Sequence, residues 1–233
     1  MRAAACAAVV FFLLAGCAER ARPRGAAGAP EDVGRQIDRL ADPDADERFR
    51  ARWAIANVGA PAIPHLIEAL GDENPHVRQE AAAALGGMFG TDRSEAVPAL
   101  AKLAADPEPE VRAAAVEALA CIGPPARAAG PALAKALGDE DVRTRRGASA
   151  ALVRVLGDDA VPHLTEALAD DRAQPFAAAA LGRLGPAARL AAPELERLAR
   201  EGDPSVRLLA TQALGRIRRG GDTETANRTP HAE

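Results

Sequence analysis

Tyrosine is absent from this chain, tryptophan occurs once, at Trp53, and aromatic residues make up 3% of the 233 positions. Sheet cores lean on aromatic and β-branched side chains, so a β-fold has little to be built from. Lysine is nearly missing: Lys102 and Lys135 are the only two among 29 basic residues. The net charge is −4, which gives no electrostatic reason to expect nucleic acid, because phosphate contacts need a clustered basic surface. Four histidines and three cysteines leave little for metal or nucleophile chemistry. What is abundant is alanine and leucine, within a 48% hydrophobic share. That composition favours helix.

The first residues, MRAAACAAVVFFLLAGC, place Arg2 before an apolar run from Ala3 to Ala15. The run is too short for a comfortable membrane span but suits the apolar region of a secretory signal. It ends in Leu14-Ala15-Gly16-Cys17, which resembles the bacterial lipobox. The resemblance implies a lipid on Cys17 and removal of residues 1–16, Cys6 included. It also implies, with Ala18 rather than aspartate next, an outer-membrane address facing the periplasm in a Gram-negative cell. Cys17 and Cys121 would then remain, and an acylated Cys17 cannot form a disulfide. Residues 17–30 read as the lipidated cysteine and a flexible tether, AERARPRGAAGAP, with a reach of about 20 Å as a coil.

Residues 31–219 repeat. Anchors at Ile55, Leu85, Leu119, Leu152, Leu181 and Leu214 are separated by 30, 34, 33, 29 and 33 residues. Four residues before each anchor stands Ala51, Ala81, Ala115, Ala148, Ala177 or Ala210, and one before it Ala54, Ala84, Ala118, Ala151, Ala180 or Ala213. Three after stands Val58, Met88, Ile122, Val155, Leu184 or Ile217. These offsets share one face of a helix. A second helical segment opens at Pro64, Pro98, Pro131, Pro162 and Pro193, each with a leucine two residues on. Glycines 59, 90, 123, 157 and 185 stand between the two as helix stops. The unit is helix A, turn, helix B. Alanine on the A face lets a neighbouring helix approach closely, so the stack buries collectively what no single repeat buries alone. The expected fold is all-α: a right-handed α-solenoid of about five full repeats, with a lone helix B (Val33, Ile37, Leu40) before it and a lone helix A from about Pro204 to Arg219 after it. Residues 220–233 have no apolar period and read as a disordered tail.

An aspartate precedes an arginine by six residues at Asp42/Arg48, Asp72/Arg78, Asp106/Arg112 and Asp139/Arg145, and by four at Asp203/Arg207. With these pairs, DENPHVRQEAAAALG, DPEPEVRAAAVEALA and DPSVRLLATQALG resemble HEAT repeats of the phycobilisome-lyase-like type. The resemblance implies a structural ladder of aspartate and arginine between adjacent repeats rather than a catalytic carboxylate set. In the fifth repeat Gln174 replaces the arginine and Pro175 follows, so helix A should start late there and the ladder should break.

The same resemblance raises enzyme readings, a bilin lyase or an iron hydroxylase. The hydroxylases carry His-Glu dipeptides, and this sequence has none. No nucleophile elbow or phosphate loop is present either. His65 and His163 lie three repeats apart, about 25–30 Å, too far to share a metal. No cofactor, metal or catalytic residue is expected, and Cys121 reads as a structural thiol. The function expected is a non-catalytic scaffold, monomeric and tethered to the envelope, binding a protein or peptide on a concave B-helix face. The alternatives are a HEAT-like enzyme or a purely structural envelope component. The B-face candidates are His65, Glu68, Lys102, Lys135, His163, Glu166, Glu194 and Arg197, with Trp53 as a further contact or as packing over the N-terminal cap.

Overall fold

The computed structural model describes residues 33–226, with side chains to Arg219. The leader, Cys17 and the tether lie outside the described residues, as do residues 227–233. The elements alternate as the repeat demands. A short α1 (Val33–Asp38) leads, and the A helices are α2 (Ala45–Val58), α4 (Pro75–Gly87), α6 (Pro109–Ile122), α8 (Val142–Leu156), α10 (Gln174–Leu184) and α12 (Pro204–Ala226). Between them stand the B helices α3 (Ile63–Ala69), α5 (Val97–Leu103), α7 (Gly130–Ala136), α9 (Val161–Ala167) and α11 (Ala192–Glu201). The result is an all-α solenoid, with no strand among the described residues.

Local chemistry sets the boundaries. Asp44, Asn74 and Asp141 stand at the starts of α2, α4 and α8, and each side chain accepts a backbone N–H two residues on, at 2.9, 3.0 and 3.1 Å. Such caps satisfy donors that the first helical turn leaves orphaned. Gly59, Gly90, Gly123, Gly157 and Gly185 turn the chain between A and B at φ of +58° to +77°, a region that side chains avoid. The proline of each B helix sits in its first turn, where its missing N–H leaves no hydrogen bond unmade.

Each A helix packs on the next, and that row of contacts is the backbone of the array. Ala81, Ala115, Ala148, Ala177 and Ala210 are wholly buried, as are anchors Leu85, Leu119, Leu152 and Leu181. Full burial of each leucine contributes about 1.5–3 kcal/mol. The approach is close at two glycines that follow an anchor. A β-carbon on Gly86 would lie 3.3 Å from the Ala118 Cα, and one on Gly182 would lie 3.0 Å from the Ala213 Cα.

The fifth repeat departs from the rest. Helix α10 starts at Gln174, seven residues before its anchor, where α2, α4, α6 and α8 start ten before theirs. Its contact with α8 is thinner than the other A–A seams. At the other end, α12 continues to Ala226, beyond Arg219 where the loss of apolar period ends it in the sequence. Periodicity reports packing, whereas a helix already formed propagates at one hydrogen bond per residue until something stops it.

Candidate ligand-binding face

The B helices hold their polar side chains in register. Counting from the proline, the fourth residue on is Glu68, Lys102, Lys135, Glu166 or Arg197, and all five are exposed. The next residue after the proline is His65, Ala99, Ala132, His163 or Glu194, with His65 exposed and His163 and Glu194 half-buried. The two rows lie three residues apart and so share one helix face. The leucine between them, Leu66, Leu100, Leu133, Leu164 or Leu195, is wholly buried and holds that face outward. Adjacent B helices stand roughly 8–10 Å apart, so the charges form a ladder at that spacing.

At the C-terminal end of this face Arg197 donates to Glu194 at 3.0 Å and lies 3.6 Å from Glu201. Its hydrogen bond holds the Glu194 carboxyl below the usual carboxylate value. Glu68, Lys102, Lys135 and Glu166 have no ion-pair partner among the described residues. A shallow groove lined by Asp106, Arg112, Lys135, Gly138 and Asp139 joins the face to the turn below it. Trp53 does not belong to this face. It is half-buried on A helix α2, two residues before the anchor and therefore about 200° round the helix from it.

The aspartate–arginine ladder runs beside the face. Arg48, Arg78, Arg112 and Arg145 each donate Nη1 back to the carbonyl oxygens five and six residues earlier, tying the turn to its own helix. Two of them also reach forward as forks. Arg78 donates to both oxygens of Asp106 at 2.8 and 2.9 Å, and Arg112 to both of Asp139 at 2.7 and 3.0 Å. These hydrogen bonds raise both guanidinium groups above their ordinary values. The remaining pairs do not make that rung. Arg48 lies 3.7 Å from Glu80, which Arg52 also holds at 2.7 Å. Arg145 meets the Phe176 ring of α10 at 5.5 Å and makes no fork to the next aspartate, Asp170. Asp203 and Arg207 are joined through the backbone alone among the described residues, Arg207 N–H donating to the Asp203 carbonyl oxygen at 2.8 Å.

A further tie has no counterpart in the repeat pattern. Buried Arg93 donates to the carbonyl oxygens of Leu85 and Gly86 at 2.9 and 3.1 Å, and to that of Cys121 at 3.3 Å. It thereby closes the end of α4 and fastens it to α6. Burial pulls its pKa below the ordinary arginine value. The sequence signal was the anchor-to-proline gap, 13 residues from Leu85 to Pro98 and the longest of the five.

Among the described residues no group of three or more His, Cys, Asp and Glu side chains could hold a metal ion, and no helix is long and apolar enough to cross a membrane. A family model described as HEAT repeats matches residues 36–120 and 97–184. Among solved structures, the chain is similar to the complex of CpcE and CpcF of phycocyanin lyase from Nostoc sp. PCC7120. The identity is 27% and the TM-score 0.52, over 85% of this chain and 80% of that one. It is also similar to an engineered protein at 25% identity and a TM-score of 0.50, over 81% of this chain and 97% of that one. No curated protein matches the chain.

Proposed function

The chain belongs to the HEAT-repeat family, and from that premise we propose that it is a non-catalytic scaffold binding another protein or peptide along its B-helix face. A lipid on Cys17 holds it at the envelope, on the outer membrane facing the periplasm in a Gram-negative cell. The observation that carries the binding reading is the exposed row Glu68, Lys102, Lys135, Glu166 and Arg197, one charge per B helix. Glu68, Lys102, Lys135 and Glu166, which have no ion-pair partner among the described residues, are available to a ligand. Their mixed signs select by complementarity rather than by bulk attraction, which suits a protein surface better than a polyanion. A spacing of roughly 8–10 Å between rows equals about three residues of extended peptide. Acidic side chains at that interval would meet Lys102 and Lys135, and a basic one would meet Glu166.

The test is affinity capture of the lipidated chain from native membranes, beside the K102E/K135E/E166K variant. The expected result is a defined partner lost from the variant while the melting temperature is unchanged. Capture that survives charge reversal would move the binding face elsewhere. Cys17→Ala should release the chain from the membrane fraction; if it stays, the lipid assignment fails. The likeness to the phycocyanin lyase complex favours a second reading, a lyase-type role. Chromophore bound to the purified protein would establish it.

A further inference from the structure

The two ends of the array are incomplete in opposite senses. Among the described residues it starts with α1, a B-type helix with no A helix before it, and ends with α12, an A-type helix with no B helix after it. We propose that a second copy of this chain docks head to tail on α12, so that α12 of one copy and α1 of the next together form one composite repeat. This goes beyond the partner-binding reading, replaces the monomer expected from the sequence, and does not depend on the B-helix face.

Two features of the seam support it independently. The first is the ladder. In each complete rung an arginine on one A helix forks to the aspartate in the turn before the next A helix, as Arg78 does to Asp106 and Arg112 to Asp139. Arg207 is the arginine of α12, is exposed, and has no side-chain partner among the described residues. Asp42 is the aspartate in the turn before α2. Among the described residues its carboxylate accepts only the N–H of Asp44, at 2.8 Å, and no guanidinium reaches it. The array thus ends in a donor fork and starts with an acceptor of the kind that fork binds elsewhere.

The second feature is the close approach. The residue after the anchor faces the residue before the next anchor, with Gly86 against Ala118 and Gly182 against Ala213. On α12 that position is Gly215, where an added β-carbon would meet only the side chain of Arg219, at 3.7 Å. Its counterpart at the other end is Ala54, the one alanine before an anchor that stays half-exposed, while Ala84, Ala118, Ala151, Ala180 and Ala213 are at most 2% exposed. Leu208 lies on the same helix at 58% exposure, an apolar surface for a neighbour to cover. A head-to-tail contact uses different surfaces on the two copies, so it builds a ring or an open filament rather than a closed pair.

Sedimentation of the full chain in density-matched detergent tests this. The wild-type mass should grow with concentration beyond one chain. R207D and D42R should each weaken association by about tenfold or more, since each sets like charges face to face. An equimolar mixture of the two should associate again, because each pairs with the other's edge. Gly215→Leu should abolish association without lowering the melting temperature, since on a single copy that face is open. A wild type that stays a single chain throughout, a mixture that fails to associate, or Gly215→Leu associating like wild type would each overturn the proposal.

Discussion

Replacing glycine by alanine inside a helix ordinarily stabilises a protein by about 0.5–1 kcal/mol, because alanine has less backbone freedom to lose. This array should give that result at Gly215 and the opposite at Gly182, though both follow an anchor leucine on an A helix. At Gly182 the new β-carbon would stand 3.0 Å from the Ala213 Cα and 3.1 Å from its Cβ. Neither contact is the end of a flexible side chain, so the seam between α10 and α12 must open by several tenths of an ångström. Overpacking of this kind costs about 1–3 kcal/mol, which outweighs the helix gain. Gly182→Ala should therefore be neutral to destabilising by about 2 kcal/mol. Gly215→Ala, whose β-carbon reaches only Arg219 at 3.7 Å, should be stabilising by up to about 1 kcal/mol. Urea unfolding at low protein concentration, where chains do not associate, would show midpoints separated by about 0.5–1 M. Equal stabilisation by both substitutions would refute the claim that these helices are in close contact.

Other consequences follow from the ties around the seam. Arg112→Ala removes the fork to Asp139 and the bonds to the Asp106 and Pro107 carbonyls, and should cost about 3 kcal/mol in urea unfolding, more than Arg48→Ala, which breaks no fork. Arg93→Lys should lose most of what Arg93→Ala loses, about 2 kcal/mol, because one ammonium cannot reach carbonyls on two helices as the fork does. Amides of residues 170–180 should exchange with solvent faster than those of 105–120, since α10 starts late and its seam with α8 is thin. Arg143 beside Glu110 and Arg197 beside Glu194 hold both carboxyls below their ordinary value of 4.5. The unfolded chain therefore binds more protons in that range, and the stability these pairs add is present above about pH 4.5 and lost as pH falls through the folded values. Unfolding midpoints measured from pH 7 to 3 should decline only in the acid range, and less steeply in a Glu110→Gln, Glu194→Gln variant. The effect is small, because the pairs face solvent.

The A seam was legible because its cause is periodic: alanine returns at two fixed offsets in all six copies, and each offset maps to one helix face. The glycine turns were legible for the same reason, each standing where the chain must reverse. The ladder was legible as residue types but not as partners. Which carboxylate an arginine reaches depends on turn length, and in the fifth repeat the count from Asp170 differs from the count back from Leu181. Six residues after Asp170 stands Phe176, the ring that Arg145 meets, whereas counting from the anchor points to Gln174. Arg93 escaped notice because it lies outside the register, in the longest linker. The B-face charges were legible as exposed positions, because polar residues at helical spacing opposite a leucine have nowhere else to point. Trp53 was legible as an A-helix position two residues before its anchor, but whether it packs or meets a partner was not, since a half-buried aromatic fits either role.

The account rests on alanine seams being too narrow for larger side chains, and one paired measurement reaches that directly: the unfolding free energies of Ala115→Leu and Glu117→Leu, two substitutions on α6. Ala115 is wholly buried in the middle of the array and Glu117 is exposed. Ala115→Leu should cost about 3 kcal/mol or more, while Glu117→Leu should change stability by less than about 0.5 kcal/mol. A leucine accepted at residue 115 as readily as at 117 would contradict the stacking of these helices through their small residues.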